Sequence, residues 1–352
     1  MELDSIHFYV RDADRTQSFF VEQIGLQSLD NSPILVHHQS DPSRTLVHWV
    51  GNSELLFSIA SPLDTSSPVA EYLQLHPSGV KDVSFRVLDL AEIRSKVDRL
   101  GVTVLAASAD LDECQWLRIR GWGSVEHTII QSQLGEITST KIDRHEPITG
   151  IDHIVLNVAA GELDLAANWY RDIFDFQVEQ TFDIQTLTSG LASKALVSAC
   201  GKIRFNINEP SSSNSQIQEF LDLNHGAGIQ HIALQTQEIW TTIDRMQQQK
   251  LAFLPIPQTY YTNLQNRARL AQQFLLTNQE WQQLERLQIL MDWSMSIPKQ
   301  ILLQIFTQPI FESPTFFFEI IERRNRAQGF GQGNFQALFE AIEEYNASIL
   351  SI

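Results

Sequence analysis

One short pattern occurs four times in the chain, and this internal repeat restricts the possible folds more than any other feature of the sequence. Each copy is an apolar, strand-like segment followed by a helix-like stretch. The segments are LDSIHFYV (3–10), VKDVSFRV (80–87), IDHIVLNV (151–158) and IQHIALQT (229–236), and their third residues are Ser5, Asp82, His153 and His231. These residues are 77 apart in the first half and 78 apart in the second, and the halves are offset by 148 and 149. The spacing predicts a module duplicated twice, with two modules per domain and two domains per chain.

Short alternating segments follow each helix-like stretch, for example LVHWV at 46–50 and KALVSA at 194–199. Modules of a strand, a helix and further strands predict an α+β fold. The polar stretch KIDRHEPITG at 141–150 contains a proline and a glycine and is typical of a linker. We therefore predict an N-terminal domain at 1–145 and a C-terminal domain at 146–352, and 352 residues suit two domains of about 150 residues.

Charge and cysteine content exclude several classes of protein. The formal net charge is −17, with 42 acidic and 25 basic residues, so the surface repels nucleic acid and anionic lipid. Cys114 and Cys200 are the only cysteines and form no CxxC pair, which rules out a disulfide framework and a thiolate zinc site. No apolar run approaches the roughly 20 residues that span a bilayer, and the N-terminus carries no secretory signal. We expect a cytoplasmic protein with a small-molecule partner.

A histidine stands at the third position of both repeats in the C-terminal half. If the two modules pack about a pseudo-twofold axis, equivalent strand faces meet and His153 and His231 converge. Glu319 lies in the apolar segment TFFFEII (315–321), where a carboxylate is costly to bury unless it is paired or bound to a metal. Two imidazoles and one carboxylate favour non-haem Fe(II), with zinc as the competing metal, and composition cannot separate the two.

The N-terminal half lacks this ligand set. His127 lies in VEHTIIQ (125–131), which corresponds to the segment around Glu319, and aligning the paired isoleucines puts Thr128 in the place of Glu319. Ser5, Asp82 and Thr128 then offer one good metal ligand among three. We predict that this half binds no metal and is structural or forms an oligomer interface.

Eight segments carry a resemblance to a known family. They are GIDHIVLNV (150–158), NINEP (206–210), SQIQEFL (215–221), GAGIQHIAL (226–234), TYYTNL (259–264), LLQIFTQP (302–309), PTFFFEII (314–321) and GFGQGNFQALFEAIEEY (329–345). In sequence and in order they resemble the 4-hydroxyphenylpyruvate dioxygenases, members of the vicinal-oxygen-chelate fold. The resemblance is dense from about residue 150 to 345 and weak before it. It implies paired βαβββ modules, each pair an open β-barrel half-wrapped by helices, and a C-terminal helix that gates the site.

The resemblance also implies a set of site residues. One Fe(II) per chain is held by His153, His231 and Glu319. The residues that match substrate contacts of the family are Ser193, Asn208, Gln216, Gln230, Gln304, Phe306, Phe330 and Phe335. Neutral amides and a hydroxyl can bind a phenol and a keto acid without adding charge, and phenylalanines can enclose an aromatic ring. Glycines at 329, 331 and 333 allow the gate to turn before its helix begins.

The reaction that the resemblance implies converts 4-hydroxyphenylpyruvate and O2 into homogentisate and CO2, by oxidative decarboxylation, ring hydroxylation and side-chain migration. Homogentisate serves either tyrosine catabolism or prenylquinone synthesis. No side chain beyond the metal ligands needs to act as a strong base. We also predict a homo-oligomer, either a dimer or a tetramer.

Other functions stay open at this point. A 4-hydroxymandelate synthase uses the same substrate and metal but oxidises the benzylic carbon, and such enzymes tend to carry an aliphatic residue where this chain has Phe306. A non-catalytic binding protein of the same fold would not need the full ligand set and gate. A zinc or manganese isomerase, or an extradiol ring-cleaving enzyme, leaves the keto-acid segments unexplained. Two departures from the family are Asn206, usually a proline, and the segment WSMSIPKQ at 293–300.

Overall fold

The protein is described from a computed structural model. The described residues are 1–29, 43–109, 114–131, 146–185, 190–212, 214–270, 276–293, 297 and 299–334. Within these ranges no helix is both long enough and apolar enough to cross a membrane. The helix predicted after Asn334 and the first half of the predicted linker, residues 141–145, lie outside the described residues, so both stay predictions.

The first half of the chain contributes eight strands to one sheet. They are β1 (Glu2–Tyr9), β2 (Gln27–Ser28), β3 (Thr45–Gly51), β4 (Leu56–Pro62), β5 (Gly79–Val87), β6 (Val104–Ala107), β7 (Trp116–Arg120) and β8 (Glu126–Gln131). The helices are α1 (Ala13–Phe19), which continues as a π-helical turn over Phe20–Ile24, α2 (Pro68–Leu75) and α3 (Leu90–Leu100). Asp12 and Asp89 begin α1 and α3, because each carboxylate accepts a backbone N–H of the first helical turn.

The second half contributes another eight strands. They are β9 (Gly150–Asn157), β10 (Gln177–Gln185), β11 (Gly190–Val197), β12 (Arg204–Pro210), β13 (Gly228–Gln235), β14 (Leu290–Trp293), β15 (Ile301–Phe306) and β16 (Phe317–Arg324). The helices are α4 (Leu163–Phe174), α5 (Gln216–Asn224), α6 (Ile239–Gln248), α7 (Gln258–Leu270) and α8 (Asn278–Arg286), and a 3₁₀ turn covers Gln332–Asn334. The helix-like stretches predicted after the third and fourth repeat segments are confirmed as α4 and α6.

Both sheets have the same strand order, which confirms the predicted duplication. The orders are β2-β3-β4-β1-β5-β8-β7-β6 and β10-β11-β12-β9-β13-β16-β15-β14. Each half of a sheet is one βαβββ module, and the first strand pairs in parallel with the last, as in β1–β4 and β9–β12. Both sheets are curled and one forms a half-barrel, and together with the helices they confirm the predicted α+β fold. The strands that carry the repeat are the two central neighbours of each sheet.

The packing of aromatic rings between β12 and α4 determines which face of β12 carries polar side chains. Phe205 packs on Tyr170 of α4, with 5.1 Å between the ring centroids, and both side chains are fully buried. Successive residues of a strand point to opposite faces. Asn206 and Asn208 therefore point away from α4.

The described residues form two compact units, and neither coincides with one sheet. The larger unit comprises residues from 1–146, 151–232 and 311–316, including the first sheet and the elements from β9 to α5. The smaller unit comprises residues from 147–150, 233–310 and 317 onward, including α6 to α8 and β14 to β16. The predicted division after residue 145 concerns the duplicated sequence modules and stays a prediction.

Candidate metal centre

The three residues predicted as metal ligands come together in the structure. His153 lies on β9, His231 on β13 and Glu319 on β16, which are successive strands of the second sheet. One potential ligand atom from each residue lies within 4.8 Å of the other two. The three residues are 2%, 8% and 2% exposed, respectively. A buried set of two imidazoles and one carboxylate fits a divalent first-row metal and favours Fe(II).

The residue before each histidine contacts its imidazole. Nδ1 of His153 lies 2.8 Å from Oδ1 of Asp152, and Nδ1 of His231 lies 3.3 Å from Oε1 of Gln230. Both oxygens accept, so each Nδ1 carries the proton and each Nε2 keeps the lone pair that a metal needs. Sequence reasoning missed Asp152, although it is the repeat equivalent of Gln230 and the spacing could have revealed it. The contact supports an orienting role for Gln230, whose predicted contact with substrate stays a prediction.

The electrostatics of the centre favour a neutral imidazole at His231. Burial lowers the pKa of His231 well below its usual value, and the nearby His153 lowers it further. The two rings meet edge to face, with 5.8 Å between centroids and an interplanar angle of 78°. His231 is therefore neutral at pH 7, which is the form that binds a metal.

Glu319 receives a hydrogen bond from a predicted site residue. Nε2 of Gln304 donates to Oε1 of Glu319 at 2.8 Å. Gln304 and Phe306 both lie on β15, which is antiparallel to β16, and Phe306 is the direct cross-strand partner of Glu319. Directly paired residues share a face of the sheet, so Phe306 lies beside the carboxylate. The substrate contacts predicted for Gln304 and Phe306 stay predictions, whereas the bond to Glu319 shows Gln304 positioning the carboxylate.

Polar side chains line the strand face that carries His153, which we call the ligand face. Ser193 on β11 pairs with Asn208 on β12, and Asn208 pairs with Asn157 on β9. Nδ2 of Asn208 donates to Oδ1 of Asn157 at 3.3 Å. Two further buried amide atoms, Oδ1 of Asn206 and Nδ2 of Asn157, have no hydrogen-bond partner. The structure therefore places Ser193, Asn208, Asn157 and Asn206 on one strand face. The substrate contacts predicted for Ser193 and Asn208 stay predictions.

The other predicted substrate contacts are placed as follows. Gln216 is buried at the start of α5, where the Ser215 side chain accepts the N–H of Ile217. Phe330 is buried, and the Arg323 guanidinium lies 5.9 Å from its ring centroid. Phe335 lies outside the described residues. The roles of these residues toward a substrate stay predictions.

In the first sheet, a hydrogen-bonded polar cluster stands where the second sheet has its three ligands. Asp82 accepts hydrogen bonds from Oγ of Ser84 at 2.7 Å and from Oγ1 of Thr128 at 2.8 Å. Nε2 of His7 lies 3.0 Å from Oγ of both Ser5 and Ser84. The part of the chain that the structure describes contains no second group of three such potential ligands. The absence of a metal from this half stays a prediction.

Several known proteins are similar to this chain in sequence. Residues 150–269 match the Glyoxalase/Bleomycin resistance protein/Dioxygenase superfamily. The chain is 34% identical to 4-hydroxyphenylpyruvate dioxygenase of Yarrowia lipolytica, over 98% of this chain and 92% of that protein. It is 31% identical to the enzyme of the same name from Dictyostelium discoideum, over 97% and 96%. An uncharacterized protein of Synechocystis is 38% identical over 97% of both chains.

Solved structures show the same fold. A mutant of 4-hydroxymandelate synthase from Streptomyces coelicolor superposes with a TM-score of 0.82 at 24% identity, over 98% of both chains. A fusion of a xylose isomerase-like TIM barrel with a 4-hydroxyphenylpyruvate dioxygenase gives a TM-score of 0.74 at 21% identity, over 98% of this chain and 52% of that one. At these identities the likeness concerns the fold and does not distinguish between the two reactions.

Proposed function

Because the chain belongs to the 4-hydroxyphenylpyruvate dioxygenase family, we propose that it converts 4-hydroxyphenylpyruvate and O2 into homogentisate and CO2. Membership places it among the non-haem iron dioxygenases that act on 2-oxo acids. The observation that carries the proposal is the buried group of His153, His231 and Glu319. These residues would hold one Fe(II).

The chain's own residues prepare this group for a metal. Asp152 and Gln230 accept the Nδ1 protons of the histidines, which directs both Nε2 atoms away from them. Gln304 donates to one oxygen of Glu319 and limits the rotation of the carboxylate. When bound, Fe(II) supplies a Lewis acid that a 2-oxo acid can chelate and at which O2 is reduced. Two neutral imidazoles and one carboxylate leave a divalent ion with a net positive charge, which suits an anionic keto acid.

The ligand face is suited to an uncharged phenol. Ser193 and Asn208 are 3% and 9% exposed and present a hydroxyl and a carboxamide without a formal charge. Buried neutral groups can hydrogen-bond a phenolic hydroxyl and leave it protonated, and they exclude bulk water from the reaction. Gln216, Phe330 and Phe335 complete the proposed contacts.

Phe306 favours homogentisate over 4-hydroxymandelate as the product. It lies beside Glu319, and its ring contacts Phe317 edge to face at 6.1 Å between centroids. A fixed aromatic side chain at this point limits the tilt of a bound substrate ring. That limit supports attack on the ring carbon that bears the side chain.

The test is anaerobic loading of the full chain with Fe(II), followed by 4-hydroxyphenylpyruvate and air. We expect homogentisate and CO2 in equal amounts, identified by mass and retention time. His231→Ala serves as the matched control and should form neither. If 4-hydroxymandelate is the main product, the protein is a 4-hydroxymandelate synthase. If an iron-loaded chain forms no product, both the dioxygenase and the synthase function are wrong. Cytoplasmic location and assembly as a dimer or tetramer are part of the same proposal.

A further inference from the structure

A chain of four hydrogen bonds leads to Glu319 from elements far away in sequence. The backbone N–H of Met291 donates to the Tyr260 hydroxyl oxygen at 2.9 Å, and this hydroxyl lies 2.8 Å from Oδ1 of Asn334. Nδ2 of Asn334 donates to Oε1 of Gln304 at 2.8 Å, and Nε2 of Gln304 donates to Oε1 of Glu319 at 2.8 Å. The bonds link β14, α7, the 3₁₀ turn at 332–334, β15 and β16.

In this series of hydrogen bonds, each donor lies on the side away from Glu319 and donates toward its carboxylate. The Tyr260 oxygen also lies 3.2 Å from the carbonyl of Met291, but a hydroxyl has one proton, and the shorter contact is the one with Asn334. Each amide then has its oxygen toward the previous donor and its nitrogen toward the next acceptor. Hydrogen bonds aligned in one direction polarise one another, so the donor that reaches Glu319 is strengthened by the bonds behind it.

Gln304 and Asp292 hold the backbone segment Phe330–Asn334 in place. Nε2 of Gln304 also donates to the carbonyl of Phe330 at 3.2 Å, and the N–H of Gly333 donates to Oδ2 of Asp292 at 3.0 Å. Gly331 has a φ of +75°, and a Cβ at this position would clash with the carboxamide of Gln304. The segment therefore requires glycine at 331 in order to approach Gln304 this closely.

We propose that Tyr260 and Asn334 are positioning residues for Glu319, and that docking of Phe330–Asn334 and metal binding stabilise each other. The proposal rests on the proposed role of Glu319 as a metal ligand. When Phe330–Asn334 is docked, Asn334 orients the Gln304 amide with its nitrogen on Glu319. When the segment leaves, Gln304 loses its partner at Oε1 and is free to turn. Linkage requires the reverse effect as well, so a bound metal must favour the docked segment.

The chain offers a matched pair of variants for the test. Tyr260 and Tyr261 are adjacent on α7, but the buried hydroxyl of Tyr261 has no hydrogen-bond partner. Tyr260→Phe removes a link from the chain, whereas Tyr261→Phe removes a hydroxyl that contributes no bond. The probe is Co(II), titrated into the metal-free full-length protein and followed by its visible absorption.

We expect Tyr260→Phe to weaken Co(II) binding by about 3- to 10-fold and to change the absorption spectrum, since loss of a direct partner of a metal ligand typically costs about 10- to 100-fold. Tyr261→Phe should match the wild type in both. Asn334→Asp is a second variant, which keeps an acceptor for Tyr260 but cannot donate to Gln304. Its expected loss is larger, about 10- to 100-fold, because Gln304 would turn its nitrogen toward the new carboxylate and away from Glu319.

Hydrogen exchange of Phe330–Asn334 supplies a readout independent of activity. Co(II) should slow exchange in this segment in the wild type and in Tyr261→Phe, and much less in Asn334→Asp at the same melting temperature. Two results would overturn the coupling between Phe330–Asn334 and the metal: equal Co(II) affinity in the wild type and all three variants, or hydrogen exchange that does not change when Co(II) binds. Neither result would contradict the proposed dioxygenase function. Failure of the wild type to bind Co(II) at all overturns the proposed function and this inference together.

Discussion

The two sheets have one strand order, but the side chains on their corresponding faces differ in size. His7 and Ser58 are partners in the β1–β4 ladder, and the corresponding pair of β9–β12 is Val155 and Asn206. Trp49 is the partner of Ser58 on β3, whereas Ala195 is the partner of Asn206 on β11. The first sheet thus carries an imidazole and an indole where the second carries an isopropyl and a methyl group.

The larger side chains of the first sheet interact with one another. The rings of His7 and Trp49 meet edge to face, with 5.6 Å between centroids, and Nδ1 of His7 lies 2.6 Å from Oγ of Ser58. On the ligand face of the second sheet, amide atoms of Asn157 and Asn206 are buried without partners. Duplication thus preserved the strand order, while the first copy satisfies its polar groups internally and the second keeps buried amide atoms without partners on the same strand face as a group that could hold a metal.

The largest expected effect comes from substituting His231, and its repeat equivalent Asp82 provides the control. His231→Ala should remove the metal and lower kcat/KM by at least about 1,000-fold, because the Lewis acid contributes several kcal/mol. Asp82→Ala should leave the metal content at one ion per chain. Elemental analysis and turnover of both variants test this. Loss of a metal ion with Asp82→Ala would show that the first sheet is also a metal site.

A second prediction concerns a large side chain introduced on the ligand face, at the position where the first sheet has Trp49. Ala195→Trp places an indole where Trp49 stands in the first sheet, in space that the proposal gives to the substrate. It should lower kcat/KM about 10- to 100-fold, which corresponds to a loss of roughly 1.4–2.8 kcal/mol in transition-state stabilisation. Metal content should not change. Trp49→Ala is the mirror variant, which should lower the free energy of unfolding by about 3–5 kcal/mol with kcat/KM unchanged. Urea unfolding and steady-state kinetics separate the two, and unimpaired turnover by Ala195→Trp would contradict the comparison.

The buried carboxylate of the first sheet should give a pH-dependent stability. Burial raises the pKa of Asp82, but His7, Arg118 and the hydrogen bond from Ser84 lower it more, so the folded-state pKa lies below the usual value. Its stabilisation is therefore present above the unfolded pKa of about 3.9 and is lost as the pH falls through the folded value. Asp82→Asn should cost about 1–3 kcal/mol at pH 6. The difference from the wild type, measured by urea unfolding, should shrink below about pH 4. A constant difference would mean that the charge is not involved.

The smallest expected effect concerns the product. Phe306→Ile should keep the metal but divert part of the product from homogentisate to 4-hydroxymandelate, because the substrate ring loses a contact of about 0.5–1.5 kcal/mol. A barrier difference of about 1.4 kcal/mol changes the ratio tenfold, so the change should be tenfold or less. Chromatography of both products, with iron content and melting temperature, provides the measurement. An unchanged ratio in a stable, iron-loaded variant would show that Phe306 has a packing role alone.

Much of the architecture could be predicted because it leaves a periodic trace in the sequence. The offset of 148 residues between Ser5 and His153 located equivalent strands, and the structure has the same strand order in both halves. The place of Glu319 beside the two histidines could be predicted because a carboxylate in an apolar segment is costly to bury without a partner or a metal. Asp152 could have been predicted from the same repeat, since it precedes His153 as Gln230 precedes His231.

The duplicated modules, the candidate ligand set and the uncharged character of the predicted substrate contacts can be predicted from one sequence, because spacing and residue type are visible along the chain. The hydrogen bond between Tyr260 and Asn334, which are 74 residues apart, is visible only in the folded protein. The same is true of the position of His7 and Trp49 on the face that corresponds to the ligand face. Such contacts depend on strand register and on side-chain rotamers, and neither leaves a periodic signal in a single sequence.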